Sequence, residues 1–445
     1  MSGGWRGTRV PHALALLIVL AGCQATAPPE PADPRSVLGP LLSRADARPL
    51  DPLASGSPPL IRLGQALFFD KILSGNRDIG CSTCHNPVYH TSDFLMLSIG
   101  TGGHRPGGSR ELGTGAFTSR EATDLFDRGQ PGWRVLMWDG RVASTASGLT
   151  TPFGAALPPG LSGPLAAQAL LPLVARVEMR GRGSDELATI PDSAPHAVFD
   201  AILARLRTIP GYDTLFAAAY PGTSPGSITI AQMANAIAAF IADRWSTGET
   251  AFDRYLRGDT AALNDQALRG AVLFFGRARC SECHRGPLLS DQDFHNTGIP
   301  VLGPGLPDVS ADVGRAAVTG LPDDRFRFRT PPLRNVDLTA PYMHNGSYRT
   351  LEDVIRHYRD PGESLARFDP TPLDPRLIPT LRIDPATVAE VLATLDPRLR
   401  VGIRLSDQDV LDLAAFLRAL TDPASGILLD DVPDNVPSGL PVLDH

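Results

Sequence analysis

The chain has 445 residues and carries 41 Lys plus Arg against 48 Asp plus Glu, a net charge of −7. That balance excludes binding nucleic acid through bulk basic charge, and the length allows two domains of ordinary size, each with its own core. With 43 Gly and 42 Pro, the expectation is a mainly α chain of modest helices joined by long loops that wrap around cofactors.

The chain opens on a targeting pattern. Arg6 and Arg9 precede an apolar run, His12 to Ala21, that is too short to span a bilayer as a mature helix. It ends in Leu20-Ala21-Gly22-Cys23, which looks like a bacterial lipoprotein box. Residues 1–22 are therefore read as a lipoprotein signal peptide and Cys23 as the lipidated residue, the protein's sole link to a membrane, with ordinary secretory cleavage nearby as the alternative. The expected location is periplasmic. Residues 23–50 are Pro/Ala-rich and read as a tether.

Next come Cys81-Ser82-Thr83-Cys84-His85 and, about two hundred residues on, Cys280-Ser281-Glu282-Cys283-His284. C-x-x-C-H is the pattern of covalent c-type haem: two thiols form thioethers with the vinyl groups and the histidine becomes the proximal iron ligand. A four-thiolate zinc site would use the same four cysteines, but it needs no histidine directly after each pair. One lipid anchor and four thioethers use all five cysteines. Gly64-Gln65-Ala66-Leu67-Phe68-Phe69 and Gly270-Ala271-Val272-Leu273-Phe274-Phe275 precede the two sites and share G-x-x-L-F-F. The repeat points to an internal duplication, with a short helix bringing two Phe to each haem.

Between the halves, Ile230, Met233, Ile237 and Ile241 recur at helical spacing, so 227–245 reads as a buried amphipathic helix with Met233 in the core. Ser406 caps another helix, lined by Val410, Leu413, Leu417 and Leu420. The expected domains are 51–250, with an insertion near 142–167, and 251–425, followed by an irregular tail over 426–445.

Leu63 through His85, Met137-Trp138-Asp139-Gly140-Arg141, Glu178-Met179 and Thr330 through Gly346 together resemble the bacterial di-haem cytochrome c peroxidase family, which includes the methylamine dehydrogenase maturase MauG. The resemblance covers about residues 55–425. It implies two mainly α-helical, cytochrome c-like domains whose haems face one another across the domain boundary. It also implies Glu178 as the group that moves a proton between the peroxide oxygens, Gln168 as a second group of the distal pocket, and Trp138 between the haems. Many members block the first haem with a loop histidine; the matching position is Gly113, which cannot ligate. An open first iron is thus expected, with His90 and His104 as the nearest rivals.

At the second haem the family's usual ligand is a methionine, and the matching position is Tyr358, as in MauG-like enzymes that share oxidising equivalents between haems. Met343 and His357 are the rival ligands. A hard phenolate favours ferric iron, whereas thioether sulfur favours ferrous. A calcium ion held by the backbone oxygens of Thr339 and Pro341 is also implied, with Glu121 standing where the family has asparagine.

The leading expectation is a hydrogen-peroxide-dependent oxidoreductase that oxidises a partner protein in the manner of MauG. The alternative is a detoxifying peroxidase fed by a small cytochrome or cupredoxin, and a further one is a non-catalytic di-haem electron carrier. Ala278 stands where MauG has a surface tryptophan that carries holes to its substrate, so any hole exit here takes another route.

Overall fold

The computed structural model describes residues 1–8, 33–306, 311–426 and 428–444. Residues 1–33 form one compact unit and 34–445 another. In the first, the described residues carry no helix or strand, and the apolar run and Cys23 of the targeting pattern lie outside them. Among the described residues, no helix is long and apolar enough to cross a membrane.

The larger unit is mainly helical with few strands. Its principal helices are α1 (Pro34–Arg44), α2 (Pro58–Phe69), α3 (Pro195–Arg207), α4 (Ile230–Arg244), α5 (Asp265–Phe275), α6 (Leu351–His357) and α7 (Asp407–Arg418). Their ends are written in the sequence. Thr229 and Gln232 close a reciprocal capping box on α4, and Ser406 and Asp409 close one on α7. Two prolines start α2, where a missing N–H leaves no helical bond unmade. Met233, Ile237 and Ile241 line the buried face of α4.

Helices α2, α3 and α4 build one core, and α1, α5, α6 and α7 a second. Each is organised by a close helix crossing. A Cβ built on Gly64 of α2 would stand 1.9 Å from the Ala236 carbonyl oxygen and 2.8 Å from the Phe240 Cβ on α4. On α5, a Cβ at Gly270 would stand 1.9 Å from the Asp412 oxygen and 2.8 Å from the Phe416 Cβ on α7. The glycine of the repeated G-x-x-L-F-F is thus a helix-contact residue. The phenylalanines that follow fill aromatic clusters: Phe68 meets Trp245 edge-on at 5.1 Å, and Phe274 lies 5.1 Å from Phe416.

Two segments differ from expectation. Part of the supposed tether is helical: α1 runs through Pro40 and buries Leu38 and Leu42 in the second core. The described residues of the tail after 426 carry no regular structure beyond a short 3-10 turn, yet they are packed. Leu428 and Val436 join the first core, and Asp431 accepts the Trp245 indole N–H at 3.0 Å. The 142–167 segment carries β2 (Val142–Thr145) and β3 (Gly148–Thr150), which extend β1 (Val135–Leu136) into an antiparallel sheet with Leu136 opposite Val142 and Ala143 opposite Thr150. In the second half, β4 (Phe294–His295) pairs antiparallel with β5 (Phe328–Arg329).

Candidate functional site

Cys81–Cys84 is a single helical turn with His85 capping it, packed on the first core. His85 Nδ1 lies 3.2 Å from the Thr91 carbonyl oxygen. A carbonyl can only accept, so this ring nitrogen carries the proton and Nε2 is left free as a ligand. Burial pushes His85 down to about 4, with Thr91 opposing, which keeps the imidazole neutral. The second motif repeats the arrangement: His284 Nδ1 donates to the Leu289 carbonyl at 3.0 Å, and burial again lowers its pKa. Burial raises the Cys81 and Cys280 thiols to about 12 and raises Cys84 as well.

A largely apolar cavity of about 210 Å³ opens beside the second motif, walled by Cys280, Cys283 and His284 with Phe274, Leu413 and Leu417. Paired thiols beside an imidazole of fixed tautomer, on an apolar wall, fit a c-type haem. The cysteine pairs belong to separate cores. Among the described residues, the one group of metal-binding side chains that converges is Cys283, Asp291 and His295, so the cysteines do not gather into one zinc site. Sequence reasoning missed His295. Its burial favours the neutral ring, but Asp291, 3.2 Å from one ring nitrogen, and Cys283 together raise its pKa, with Asp396 at 2.8 Å on the other nitrogen.

Tyr358 and Met343 both line this cavity. Tyr358 caps the C-terminus of α6, and burial, reinforced by Cys283 and Cys280, holds its phenol well above the usual range. The rival His357 is engaged elsewhere: Nε2 donates to the Thr297 carbonyl at 2.7 Å, and Nδ1 lies 2.9 Å from the Tyr348 hydroxyl.

Glu178 sits on a π-helical turn, Arg176–Arg180, the last of three short helical segments that begin with Pro164–Ala169 and include Pro172. Gln168 is half-buried on the first of them. Single π-helical turns are frequent at functional sites. The Glu178 backbone is gripped from two sides: its carbonyl accepts Thr101 N–H at 2.8 Å, and the Met179 carbonyl accepts Gly75 N–H at 2.8 Å. Its side chain is half-exposed by area but enclosed by surrounding protein. Burial raises its pKa and Arg141 opposes.

The loop histidines are engaged with other partners. His104 Nε2 pairs with Glu111 at 2.8 Å on the surface, and His90 Nδ1 donates to the Ser425 carbonyl at 3.1 Å. At Gly113 the φ is +52° and a Cβ would lie 2.3 Å from the Gly102 oxygen, so the loop has no room for a ligating side chain there.

Trp138 lies on the wall of the cavity beside the second motif and donates its indole N–H to the Glu121 carbonyl at 3.1 Å. The Glu121 N–H in turn donates to the His344 carbonyl at 2.9 Å, which joins Glu121 to the segment that carries Thr339 and Pro341. Burial, then Asp93 and Asp124, push the Glu121 carboxyl well above its usual range. Asp93 is fully buried, and its Oδ2 has no hydrogen-bond partner. Behind Trp138, Arg120 binds Asp312 through two bonds of 2.6 and 2.8 Å and Asp139 at 2.8 Å; Asp139 also pairs with Arg141 at 2.7 Å. Sequence reasoning also missed Phe328, which stacks on His344 with ring centroids 3.5 Å apart.

The sequence profile described as di-haem cytochrome c peroxidase matches residues 58–261. The chain is 29% identical over 387 residues to the methylamine utilization protein MauG of Methylorubrum extorquens, covering 85% of this chain and 82% of that protein. It is 31% identical over 293 residues to the cytochrome c551 peroxidase of Pseudomonas aeruginosa, covering 66% and 69%. Among solved structures it is similar to a MauG-like protein associated with microbial copper homeostasis, with 32% identity, a TM-score of 0.59, and coverage of 86% of this chain and 95% of that one.

Proposed function

The chain belongs to the di-haem cytochrome c peroxidase family, and from that membership we propose that it reduces hydrogen peroxide at the first haem and shares the oxidising equivalents, through Trp138, with a Tyr358-ligated second haem to oxidise a partner protein. Two c-type haems, one on Cys81, Cys84 and His85 and one on Cys280, Cys283 and His284, supply the redox chemistry when bound. The remaining work falls to the chain.

Glu178 carries this reading. A carboxyl whose pKa is raised by burial holds its proton to higher pH than a free glutamate and can both take and return one. Gln168 helps orient the peroxide. Trp138 supplies an indole anchored by its N–H, and the paired Asp139 and Arg120 neutralise one another behind it. At Tyr358 a phenol that resists ionisation becomes an anionic ligand only against a strongly positive partner, which favours ferric iron. The cluster of Glu121, Asp93 and Asp124 supports a calcium ion between the haems, shared with the Thr339 and Pro341 oxygens.

We further place the protein in the periplasm, lipid-anchored through Cys23, and divide it into haem domains at 51–250 and 251–425. The matched crossings at Gly64 and Gly270 support their origin by duplication.

Met343 on the same cavity wall keeps a second reading open: a peroxidase with a methionine-ligated second haem, fed by a small cytochrome or cupredoxin. The experiment that decides is a spectrum of the ferric holoprotein before and after one equivalent of hydrogen peroxide. The first reading expects one high-spin and one low-spin signal by electron paramagnetic resonance and a direct reaction. A requirement for prior reduction selects the second.

A further inference from the structure

The irregular final segment ends on a buried ionic bridge. Asp444 Oδ1 lies 2.5 Å from Lys71 Nζ, and Oδ2 lies 2.8 Å from Arg110 Nη1, with the three side chains 10%, 7% and 0% exposed. Lys71 is the single lysine of the chain. Other bonds lead the same segment to this point. The Ser438 hydroxyl donates to Asp70, the cap of the turn that holds Lys71, at 2.6 Å, and Val436 is buried in the first core.

The two cations belong to the two segments that grip Glu178. Arg110 laces the loop before it, donating to the carbonyls of Ile99 at 2.8 Å, Gly100 at 3.3 Å, Gly103 at 3.2 Å and Arg105 at 3.0 Å. From that loop Thr101 N–H binds the Glu178 carbonyl, and Gly100 sits so close that a Cβ would lie 1.8 Å from the Val177 oxygen. Lys71 opens the turn that leads to Gly75. Gly75 N–H binds the Met179 carbonyl, and a Cβ there would lie 2.1 Å from the Arg180 oxygen. One carboxylate therefore ties together the two walls between which the π-helical turn is held.

We propose that Asp444 is a positioning residue for Glu178: its ion pairs with Lys71 and Arg110 lock the 71–75 and 99–103 segments against the turn that presents the acid/base carboxyl to peroxide. This rests on the acid/base reading of Glu178. Without the shared carboxylate, two buried cations stand together uncompensated and move apart, taking their segments with them. A displacement of about an ångström at a proton-transfer group costs on the order of a hundredfold in rate.

The test compares Asp444→Asn, Asp444→Glu and Glu178→Gln as holoproteins with both haems attached. Peroxide consumption is followed across pH, and acetylation of Lys71 by an amine-reactive ester is followed by peptide mass spectrometry. Asp444→Asn is expected to slow the peroxide reaction on the order of ten- to a hundredfold, displace its pH profile and expose Lys71 to acetylation, with Asp444→Glu restoring all three. An Asp444→Asn enzyme that keeps Lys71 protected, or exposes it while retaining the wild-type rate and pH profile, overturns the proposal. If Glu178→Gln retains the wild-type rate, the acid/base reading falls and the positioning role with it; a slow Glu178→Gln beside an unaltered Asp444→Asn sinks the positioning role alone. Where Asp444→Asn yields no folded holoprotein, Lys71→Met, which leaves the Arg110 pair in place, is read by the same rate and pH profile, and an unaltered profile there overturns the proposal.

Discussion

The indole of Trp138 meets the imidazole of His344 edge to face, with ring centroids 6.4 Å apart and planes inclined at 71°. Burial holds His344 down to about 3, with Asp312 opposing, so the ring is neutral. Trp138→Phe keeps the edge contact but removes the N–H that binds the Glu121 carbonyl. The variant should lose about 1–3 kcal/mol of stability and slow redox exchange between the haems, with both haems still attached. Thermal unfolding and rapid-mixing spectra check the two effects, and unchanged inter-haem exchange removes Trp138 from the route.

Glu178→Gln should slow peroxide consumption by roughly two to four orders of magnitude. It should also alter stability with a defined sign. A carboxyl whose folded pKa is raised binds more protons folded than unfolded, so its contribution is fully favourable below the unfolded value and declines as pH rises through the folded one. The glutamine variant should therefore match wild type in acid and be the more stable protein near neutrality. Melting curves from pH 4 to 8 test this, and a gap that widens toward acid contradicts it.

Tyr358→Met should raise the potential of the second haem, because thioether replaces a hard anionic oxygen, whereas Met343→Leu should leave it in place. Spectroelectrochemical titration of the two variants decides between the ligands. A potential that responds to Met343 alone assigns the iron to the thioether.

Gly64→Ala and Gly270→Ala each drive a methyl group against a carbonyl oxygen 1.9 Å away. Each should destabilise the protein by about 1–3 kcal/mol or more, the range for overpacking, and by similar amounts, since the two crossings match. Chemical denaturation measures both, and an innocuous substitution at either site removes the helix-contact explanation.

Calcium between the haems would hold Glu121 ionised against the pull of burial and of Asp93 and Asp124. Chelation should then lower the melting temperature and change the redox coupling of the haems, and added calcium should reverse both. Glu121→Gln should weaken calcium binding in a titration; indifference of the protein to chelator counts against the ion.

What the sequence reveals depends on how local the chemistry is. Haem attachment needs two thiols and an imidazole within five residues, so 81–85 and 280–284 announce themselves. The caps Thr229 and Ser406 and the apolar faces of α4 and α7 are equally local. Glu178 is different: nothing within the π-helical turn marks it apart from any charged loop residue, and only the surrounding family motifs single it out. The glycines of G-x-x-L-F-F were visible as a repeat, but their reason lies in Ala236 and Asp412, far along the chain. The helix over 34–44 was obscured by its prolines, and the tail by composition, because its anchors at Trp245 and Lys71 are distant partners that no window of sequence contains.

The packing of that tail bears on how the protein is made. A chain emerging from the ribosome exposes its early segments first, yet Leu428 and Val436, which finish the core around α2 and α4, emerge near the end. The first C-x-x-C-H is thus translated long before the core it packs on can close. For the same reason, a fragment stopped at residue 250 would lack the hydrophobic closure and the Asp431 acceptor of Trp245, and excising the first half should give an unfinished globule.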